Sequence, residues 1–495
     1  MKKKMISALL LIFFANEQVF SFCGFYVSKA DGTLKNKTSQ VIMVRDGDRT
    51  VITMSNDFKG DAEDFAMVVP VPTVLKKSDI KVLNAELFQR LNDYSKPRLV
   101  EYYDQNPCMS QNLDEVVVSG LAKSRAPKAL GYAESKDEEK YKVKVEAQYT
   151  VGEYDIVILS AEESGGLKKW LDKNGYKIPK GADEVLEPYI KSNLKFFVVK
   201  VNLEEQENLG VQQLRPLQIQ FTSPKFMLPI RLGMANADGD QDMIVYAFTR
   251  TGRVELTNYR TVNMPTGKNI PLFVQPKFGN FYSNVFNHQW NNEGKNVGFL
   301  EYAWDVSPSN FMKCDPCVSE APNFSDLQQA GVWWLGKDTY NDYVNQYEPK
   351  SDKVYFTRLH IRYNRSSFPQ DLMFQSTPNI ENYQARYIIT HPATGDFSCE
   401  AGKKYLKDLK ERRKQEMEML TQLTGKGYGD WDDEIAVNDA DDKQNNLIPA
   451  DTSYKTIAVE LSNPVHGADD GTNAIIALSF ISLAGIGLYW RYGRS

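Results

Sequence analysis

The chain has 495 residues, of which 42% are hydrophobic and 25% are charged, as in ordinary globular proteins. Its length corresponds to about three domains. The formal net charge of −5 argues against the broad positive field that nucleic-acid-binding proteins use. Tyr and Phe are abundant (26 and 25), which favours a β-rich fold with aromatic side chains packed on its strands.

The first 21 residues have the layout of a secretory signal peptide. Lysines at positions 2–4 precede an apolar stretch at 6–15, and the small side chains of Val19 and Ser21 suit a cleavage site. The apolar stretch is too short to span a bilayer. We therefore expect cleavage after Ser21 and export of the rest of the chain.

An N-terminal β-rich subdomain is predicted over residues 22–140. Residues 40–55 predict a β-hairpin, because two β-branched runs flank an Asp-Gly dipeptide suited to a tight turn. A buried strand at 65–71 and a helix at 82–94 follow, the helix because its leucines recur every four residues. Residues 105–140 are polar and irregular, so we expect a loop.

The second predicted subdomain, residues 141–290, mixes helices and strands. Its order predicts a strand at 154–159, helices at 161–171 and 182–192, and a strand at 195–203. From Leu214 onward closely spaced strands predict an antiparallel meander. This succession indicates an α+β protein of two or three packed subdomains, with antiparallel sheets and a few short helices.

The third predicted subdomain, residues 291–400, contains a Cys-x-x-Cys motif and two strands. The strands are expected at 354–363 and 385–390. A helix with mixed charges follows at 401–424.

Residues 425–472 predict an acidic and polar stalk, and residues 473–490 a single membrane-spanning helix. The stretch Ala474–Trp490 has seventeen uncharged residues, the short end of what crosses a bilayer core of ~30 Å. Arginines in the tail at 491–495 place that tail in the cytoplasm by the positive-inside rule. We expect the main body on the other side, with removal of the apolar segment as a sorting signal as the alternative.

Several stretches, in this order, resemble one known bacterial family. They are CGFYV at 23–27, QVIMVRDGDRTVITMSNDF at 40–58, FAMVVPVP at 65–72, PRLVEYYDQNPC at 97–108, YDIVILSAEESGGLKKWL at 154–171, SPKFMLPIRLG at 223–233, GRVELTNYRTV at 252–262, CDPC at 314–317 and TRLHIRY at 357–363. The resemblance is to the exported proteins grouped as domain-of-unknown-function family 2330, and it covers roughly residues 23–399. It implies a bacterial envelope protein, and it transfers no reaction and no catalytic residues.

Five cysteines are expected to be mostly paired in an exported protein. The preferred pairing is Cys23 with Cys108, which would fasten the mature N-terminus. One further bridge is then expected among Cys314, Cys317 and Cys399, with one thiol left free.

The Cys314–Cys317 motif is also a candidate for redox catalysis. A thioredoxin-like enzyme places this motif at a helix start after a strand, whereas residues 304–313 make a poor strand. Zinc would need two further ligands at suitable spacing. A structural disulfide is therefore the preferred interpretation.

The strand at 354–363 alternates cleanly, and it places Arg358, His360 and Arg362 on one face. Arg386 on a nearby strand could join them in a patch that binds a carboxylate or a phosphate. The preferred interpretation is a solvated sheet face with acidic neighbours.

Asp238, Asp240 and Asp242 alternate in a way that faintly resembles a calcium loop, but the bidentate Glu is missing, so a polar turn is preferred. No zinc-protease, phosphate-loop, nucleophile-elbow or dinucleotide motif occurs. We expect no cofactor.

The expected function is that of a tethered extracytoplasmic protein that binds an envelope protein or surface component without catalysis. The expected partners are the membrane that holds the C-terminal anchor and an unidentified envelope protein or surface component, and no nucleic acid is expected. The alternatives are an envelope thiol–disulfide oxidoreductase that uses Cys314 and Cys317, and a periplasmic ligand-binding component with a cleft between subdomains.

Overall fold

The computed structural model describes residues 25–26, 38–55, 66–109, 142–174, 182–210, 214–235, 239–335, 339–341, 346–348, 353–444 and 452–462. The predicted signal peptide and the predicted membrane span lie outside these ranges. None of the helices within them is both long enough and apolar enough to cross a membrane.

The described residues form strands between Phe25 and His391. These strands are β1 Phe25–Tyr26, β2 Thr38–Asp46, β3 Arg49–Met54, β4 Ala66–Val71, β5 Ile80–Val82, β6 Arg98–Tyr103, β7 Val143–Val151, β8 Tyr154–Ala161, β9 Lys195–Val201, β10 Leu217–Thr222, β11 Met227–Leu228, β12 Gln241–Thr249, β13 Val254–Leu256, β14 Arg260–Asn263, β15 Lys268–Asn269, β16 Val297–Asp305, β17 Thr339–Asn341, β18 Gln346–Glu348, β19 Tyr355–Tyr363, β20 Leu372–Ser376, β21 Tyr383–Gln384 and β22 Arg386–His391.

The same ranges contain α-helices and short 3₁₀ turns. The helices are α1 Glu86–Ser95, α2 Ser164–Lys173, α3 Ala182–Lys191, α4 Leu203–Asn208, α5 Phe278–Asn292, α6 Phe324–Ala330, α7 Glu400–Thr424, α8 Asp432–Gln444 and α9 Tyr454–Ser462, and the 3₁₀ turns are Lys77–Asp79, Gly233–Ala235, Leu272–Lys277 and Tyr428–Trp431. The predicted α+β class is confirmed.

A nine-stranded mixed sheet forms the centre of the molecule. Its order is β14-β16-β19-β12-β2-β3-β10-β5, with β21 paired to β16. The β12–β2 and β14–β16 pairs are parallel, and the other pairs are antiparallel. The predicted hairpin is confirmed as β2–β3, and Gly47 in its turn has a φ of +55°.

Both faces of this sheet are buried, which explains the unbroken apolar runs at 41–44 in β2 and 243–248 in β12. One face packs on a five-stranded sheet of order β1-β4-β9-β8-β7, so that the two sheets form a sandwich. Helices α2 and α3 cover the outer face of the smaller sheet. Helices α1 and α6 cover the other face of the large sheet.

A third apolar cluster joins α5, α7, α8 and α9 to one end of the large sheet and to the small sheet β15-β22-β6. Tyr387, Met417, Leu420 and Trp431 are among its buried members. The small sheet is built from distant parts of the chain, since β22 lies parallel to β6.

The predicted antiparallel meander after Leu214 is wrong. Strand β10 pairs with β3 and β5, β12 pairs with β19 and β2, and β14 pairs with β16. Strands β10, β12 and β14 lie in the second predicted subdomain and these partners lie in the first and third, so the sheets do not follow the predicted subdomain boundaries. The strands themselves were visible as local patterns, whereas their pairing depends on distant residues.

The predicted solvated stalk is wrong for residues 428–444 and 452–462. These residues form α8, α9 and a 3₁₀ turn, and they bury Trp431, Ile435, Tyr454 and Ile457. Asp439, in the acidic segment, accepts hydrogen bonds from the backbone N–H groups of the first two residues of α9. A few apolar side chains thus pack this segment against the core, although its charge pattern predicted a solvent-exposed segment.

Candidate functional site

The segment that contains the Cys-x-x-Cys motif connects the end of β16 to the start of α6. Cys314 and Cys317 form a disulfide with their Cα atoms 5.1 Å apart. Cys314 is 7% exposed and belongs to the apolar cluster under α1, whereas Cys317 is exposed. We call residues Asn310–Val318 the disulfide loop.

The backbone of the disulfide loop is held by side chains of the core. The Lys313 carbonyl accepts hydrogen bonds from the Tyr94 hydroxyl (2.5 Å) and the Tyr302 hydroxyl (2.7 Å). The Met312 carbonyl accepts one from Trp304 Nε1 at 2.8 Å. Because these donors stand on β16 and α1, the loop takes its shape from the folded core.

The second half of the disulfide loop is held in the same way. Arg98 Nη1 donates to the Pro316 carbonyl at 2.7 Å. Arg386 Nη1 donates to the Asp315 carbonyl at 2.9 Å and to Asp315 Oδ2 at 3.1 Å, and Gln384 Nε2 donates to the same carbonyl at 3.1 Å. Carbonyls of four consecutive or nearly consecutive residues are thus fixed by charged and polar donors.

Apolar side chains of the disulfide loop point into solvent. Phe311 has a relative exposure of 104%, Met312 of 69% and Val318 of 52%. A fully exposed Phe beside an exposed Met is unusual on a surface where large apolar side chains are normally scattered singly. The loop therefore presents an apolar tip on a rigid base.

The geometry around the cysteines differs from that of a thioredoxin-like site. The motif is followed by irregular chain with a bend at 318–319, and α6 begins only at Phe324. Cys314, the first cysteine, is buried, so the accessible sulfur is that of Cys317. The two guanidinium groups near the loop, Arg98 and Arg386, are engaged by carbonyl oxygens and by Asp315.

The preferred pairing of Cys23 with Cys108 is wrong. Cys108 is bonded to Cys399, with an S–S distance of 2.03 Å and a separation of 291 residues in the sequence. Strand β6 leads to Cys108 and Cys399 is the N-cap of α7, so the bridge fastens this helix to the small sheet. Cys23 lies outside the described residues.

The charged face predicted on residues 354–363 is present, with Arg358 buried and His360 and Arg362 half-buried. Tyr355, Leu359 and Ile361 point into the sandwich, and Phe356 and Arg358 point to the opposite face, as predicted. Arg358 is 5% exposed, so the expectation of a solvated face is wrong for it.

A carboxylate on the adjacent strand neutralises this face. Glu301 is fully buried and accepts from Arg358 Nε at 2.5 Å, His360 Nδ1 at 2.9 Å and the Tyr282 hydroxyl at 2.5 Å. Arg362 Nε donates to Asp242 Oδ1 at 2.7 Å. The predicted acidic neighbours are therefore present, and they bond directly to the basic side chains.

The pKa values of these side chains reflect how closely the charges are paired. Burial by itself raises the pKa of Glu301, but the charges of Arg358 and His360 outweigh it and lower that pKa to about 2. Asp242 has a pKa of about 2 for the same reason, since its burial is outweighed by His360 and Arg362. Burial lowers the pKa of His360, and Glu301 and Asp242 raise it further than burial lowers it. We call these five residues the Glu301 cluster.

The predicted anion-binding set is not assembled as one site. Arg358, His360 and Arg362 are occupied by the protein's own carboxylates, and Arg386 contacts Asp315 in the disulfide loop. Asn92 Oδ1 also accepts from Arg358 Nη1 at 2.9 Å. The cluster links β12, β16, β19, α1 and α5, so its role is to hold these elements together.

The weak calcium candidates are also engaged elsewhere. Asp242 belongs to the Glu301 cluster, Asp240 accepts from Asn364 Nδ2 at 2.6 Å, and Asp238 lies outside the described residues. Within the part of the chain that the structure describes, no three His, Cys, Asp or Glu side chains are grouped as metal ligands.

Two of the clefts lined by described residues are open to solvent. One of about 270 Å³ is lined by Arg45, Arg250, Phe226 and Phe374, and another of about 320 Å³ is lined by Arg49, Asp79 and Phe221. Arg250 is paired with Asp46 at 2.6 Å, and Arg45 donates to Thr50 and to backbone carbonyls. Both volumes are near the lower end of ligand pockets, which begin at about 300 Å³.

Comparison with known protein families gives a match over residues 18–375, more than half of the chain, to "Uncharacterized protein conserved in bacteria (DUF2330)". The chain belongs to this family. The resemblance read from the sequence motifs is thereby confirmed. No protein of curated function matches the chain.

Among solved structures, the chain is similar to a mutated baculovirus P35 after caspase cleavage, at 9% identity and a TM-score of 0.25, over 68% of this chain and 99% of that one. It is also similar to the caspase-8/P35 complex, at 10% identity and a TM-score of 0.21, over 70% of this chain and 94% of that one. Neither likeness supports a statement about fold or function, because both TM-scores are too low.

Sequence reasoning found the cysteines of this DUF2330 protein but missed the apolar tip beside them. Phe311 and Met312 are separated from the motif only by Lys313, and nothing local distinguishes them from core residues. The two residues before them, Ser309 and Asn310, are polar and therefore indicate a turn, which was the one available signal.

Proposed function

We propose that this chain is a membrane-tethered extracytoplasmic protein of the bacterial envelope, and that it binds another envelope protein through the disulfide loop. The observation that supports binding is the exposed apolar tip, Phe311 and Met312, on a loop whose carbonyls are held by the core. The observation that supports export is the pair of disulfides, which persist in oxidising compartments.

The disulfide loop suits binding because its conformation is already fixed. A loop that must order on binding loses conformational entropy, and a braced loop avoids that cost. Phe311 and Met312 are the kinds of side chain that fill pockets at protein interfaces, where a few central residues supply most of the affinity. The expected partner surface is an apolar pocket, with a cation near Asp315 and an anion near Lys313.

The loop also lies away from the point where the tether would leave. Arg98, at the start of β6, contacts the disulfide loop, and Asp104, just after the end of β6, contacts Arg412 of α7. Arg98 and Tyr103 are five positions apart along β6, a distance of about 17 Å in a strand. Helix α9, which precedes the predicted membrane span, packs on α7. The apolar tip is therefore expected to be displaced from the anchored end.

The binding proposal is tested by photo-cross-linking in cells. A benzophenone amino acid replaces Phe311 in the full chain, and in a matched control it replaces Ile380, which is 68% exposed on a different loop. We expect one defined protein adduct at position 311 that is absent at position 380 and weakens when Met312→Ser is added. Equal adduct patterns at both positions would remove the loop as a binding surface.

The placement proposal has its own test. Membrane fractionation and protease protection of intact cells and spheroplasts are performed on the full chain. We expect it in the membrane fraction, with the ectodomain digested only after the outer barrier is opened. A protease-protected ectodomain in spheroplasts would reject the extracytoplasmic placement.

A second candidate function, thiol–disulfide exchange, is favoured by the exposure of Cys317. A substrate thiolate would attack Cys317 Sγ, form a mixed disulfide and release Cys314 as a thiolate that takes up a proton. A second thiolate of the substrate would then attack the substrate sulfur of the mixed disulfide, so that the substrate leaves as a disulfide and Cys317 leaves as a thiolate that takes up a proton. The test is insulin reduction or oxidative refolding by the purified protein. We expect no activity above that of Cys317→Ser, and wild-type activity lost in that variant would favour the enzyme.

A further inference from the structure

Helix α7 has lysines along one side of its N-terminal half. Lys403, Lys407, Lys410 and Lys414 are spaced by four, three and four residues, which places them on one face of a helix. We call them the lysine stripe. From Lys403 to Lys414 it is about 17 Å long at the helical rise of ~1.5 Å per residue.

Solvent reaches the lysine stripe along its length. Lys403, Lys407 and Lys414 are exposed, and Lys410 is partly exposed. Lys403 pairs with Glu400 at 2.6 Å and Lys410 pairs with Glu460 at 2.8 Å. Among the described residues, Lys407 and Lys414 have no carboxylate within ion-pair distance. The stripe therefore has an excess of positive charge on a chain whose net charge is −5.

Helix α9 lies beside the lysine stripe and runs antiparallel to α7. Its first residue, Tyr454, donates to Glu416 Oε2 at 2.8 Å and lies under the guanidinium of Arg413 at 4.3 Å. Near its other end, Glu460 pairs with Lys410. The last residue of α9, Ser462, therefore lies next to the turn of α7 that carries Lys407.

The outward face of α9 continues this surface. Lys455 and Ser462 are exposed, and Val459 between them is 56% exposed. These three residues are spaced by four and three, so they share one side of α9. The combined surface has five lysines and one exposed apolar side chain. Glu416 is buried between α7 and α9, and the exposed carboxylates beside the lysines include Glu411 and Glu418 on α7 and Glu460 on α9.

The length of chain beyond α9 limits how far this surface can be from a membrane. Eleven residues, 463–473, separate Ser462 from the predicted span that begins at Ala474. Fully extended, they reach at most roughly 38 Å. A surface at the tethered end, with unpaired lysines and an exposed valine, matches the phosphates and the interfacial zone of a bilayer.

We propose that the lysine stripe, together with Lys455 and Val459, docks on a bilayer that contains anionic phospholipids. This inference rests on the tether in the proposed function. Docking would fix the orientation of the ectodomain, with α7 and α9 towards the lipid and the disulfide loop turned away from it.

The test is lysine footprinting of the full chain in nanodiscs. One set contains 30% phosphatidylglycerol in phosphatidylcholine and the other only phosphatidylcholine, and acetylation rates are measured by mass spectrometry. We expect Lys407, Lys414 and Lys455 to react at least threefold more slowly in the anionic nanodiscs at low salt, and to recover at high salt. Lys81 and Lys200, exposed on the two sheets, are the internal controls and should not change.

Equal acetylation of the stripe in both lipids would overturn the proposal. A variant, Lys407→Glu/Lys414→Glu, should lose the protection of Lys455, whereas the matched control Lys81→Glu/Lys200→Glu should keep it. Co-elution of chain and nanodisc reports separately on the tether. If the chain does not integrate, sedimentation with anionic and with zwitterionic vesicles decides the same question: preference for anionic vesicles, lost in the stripe variant, supports docking, and no preference rejects it.

Discussion

The sequence draws attention to the Glu301 cluster by its charged residues and to the disulfide loop by its cysteines. The two regions differ in where their side chains point: those of the cluster point into the fold, and those at the tip of the loop point into solvent. In the cluster, Arg358 and Glu301 are buried and bonded to each other. In the loop, the polar bonds are made by the backbone, and the side chains of Phe311 and Met312 face solvent.

This difference teaches how to interpret charges and apolar residues in an exported domain. A charge inside a fold is retained only where a partner compensates for its desolvation, so a run of basic residues on a buried strand indicates a matching carboxylate. An apolar residue in water has no such compensation. Its exposure on a braced loop therefore indicates a partner outside the chain.

The largest expected effect concerns the two disulfides. Replacing Cys108 and Cys399 by Ala should lower the free energy of unfolding by up to about 5 kcal/mol, because that bridge closes a very long loop, whereas Cys314→Ala/Cys317→Ala should cost about 2 kcal/mol. Urea denaturation at equal protein concentration measures both. Equal losses of unfolding free energy in the two variants would contradict the view that the Cys314–Cys317 bridge mainly fixes the local conformation of the disulfide loop.

The next effect concerns Arg358. The variant Arg358→Ala should lose about 3 to 5 kcal/mol of unfolding free energy, because Glu301 stays buried without its main counter-charge. Arg386→Ala is the matched control, since Arg386 is 31% exposed and pairs with a largely exposed Asp315, and it should cost less than about 1 kcal/mol. A mild effect of Arg358→Ala would mean that the Glu301 cluster is not structural.

Two buried glutamates allow a sharper test, because their pKa values move in opposite directions. Burial raises the pKa of Glu416 to about 7, since the Tyr454 hydroxyl and the more distant Arg412 offset it only in part. A raised carboxyl pKa contributes stability below the unfolded value, near pH 4.5, and that contribution is lost as the pH rises through 7. For Glu301 the sign is reversed, and its contribution is lost as the pH falls from about 4.5 to 2.

Glu416→Gln should therefore flatten the decline in stability between pH 4.5 and 8. The decline attributable to Glu416 in the wild type is about 3 kcal/mol, from the size of the pKa change. Urea titrations at several pH values measure it. Glu418→Gln, an exposed position on the same helix, is the control and should leave the pH profile unchanged. A parallel profile for Glu416→Gln would show that another group dominates.

Features that depend on neighbouring residues could be predicted from the sequence, whereas features that depend on distant residues could not. The β2–β3 hairpin, the alternation in β19 and the helices α1, α2 and α7 were predicted because a few neighbouring residues determine them. The parallel contact of β12 with β2 and the Cys108–Cys399 bridge were missed because they join residues far apart in the chain. The packing of α8 was hidden by its acidic residues, since its apolar contact with the core is made by Trp431 and Ile435 among the side chains described at 428–440.

The smallest effect on stability is expected at the residue with the largest proposed role in binding. Phe311→Ser should change the free energy of unfolding by less than about 0.5 kcal/mol, because the side chain is fully exposed and the loop carbonyls keep their donors. With the benzophenone amino acid placed at Val318 of the same loop, the partner adduct in cells should nevertheless be lost in Phe311→Ser, because the apolar contact is removed. Trp304→Phe is the complementary variant: it keeps Phe311 but removes the donor to the Met312 carbonyl, so it should weaken the adduct less than Phe311→Ser while destabilising the fold more. If Phe311→Ser unfolds the protein instead, the side chain packs inside the fold, and the contrast between the inward cluster and the outward loop fails.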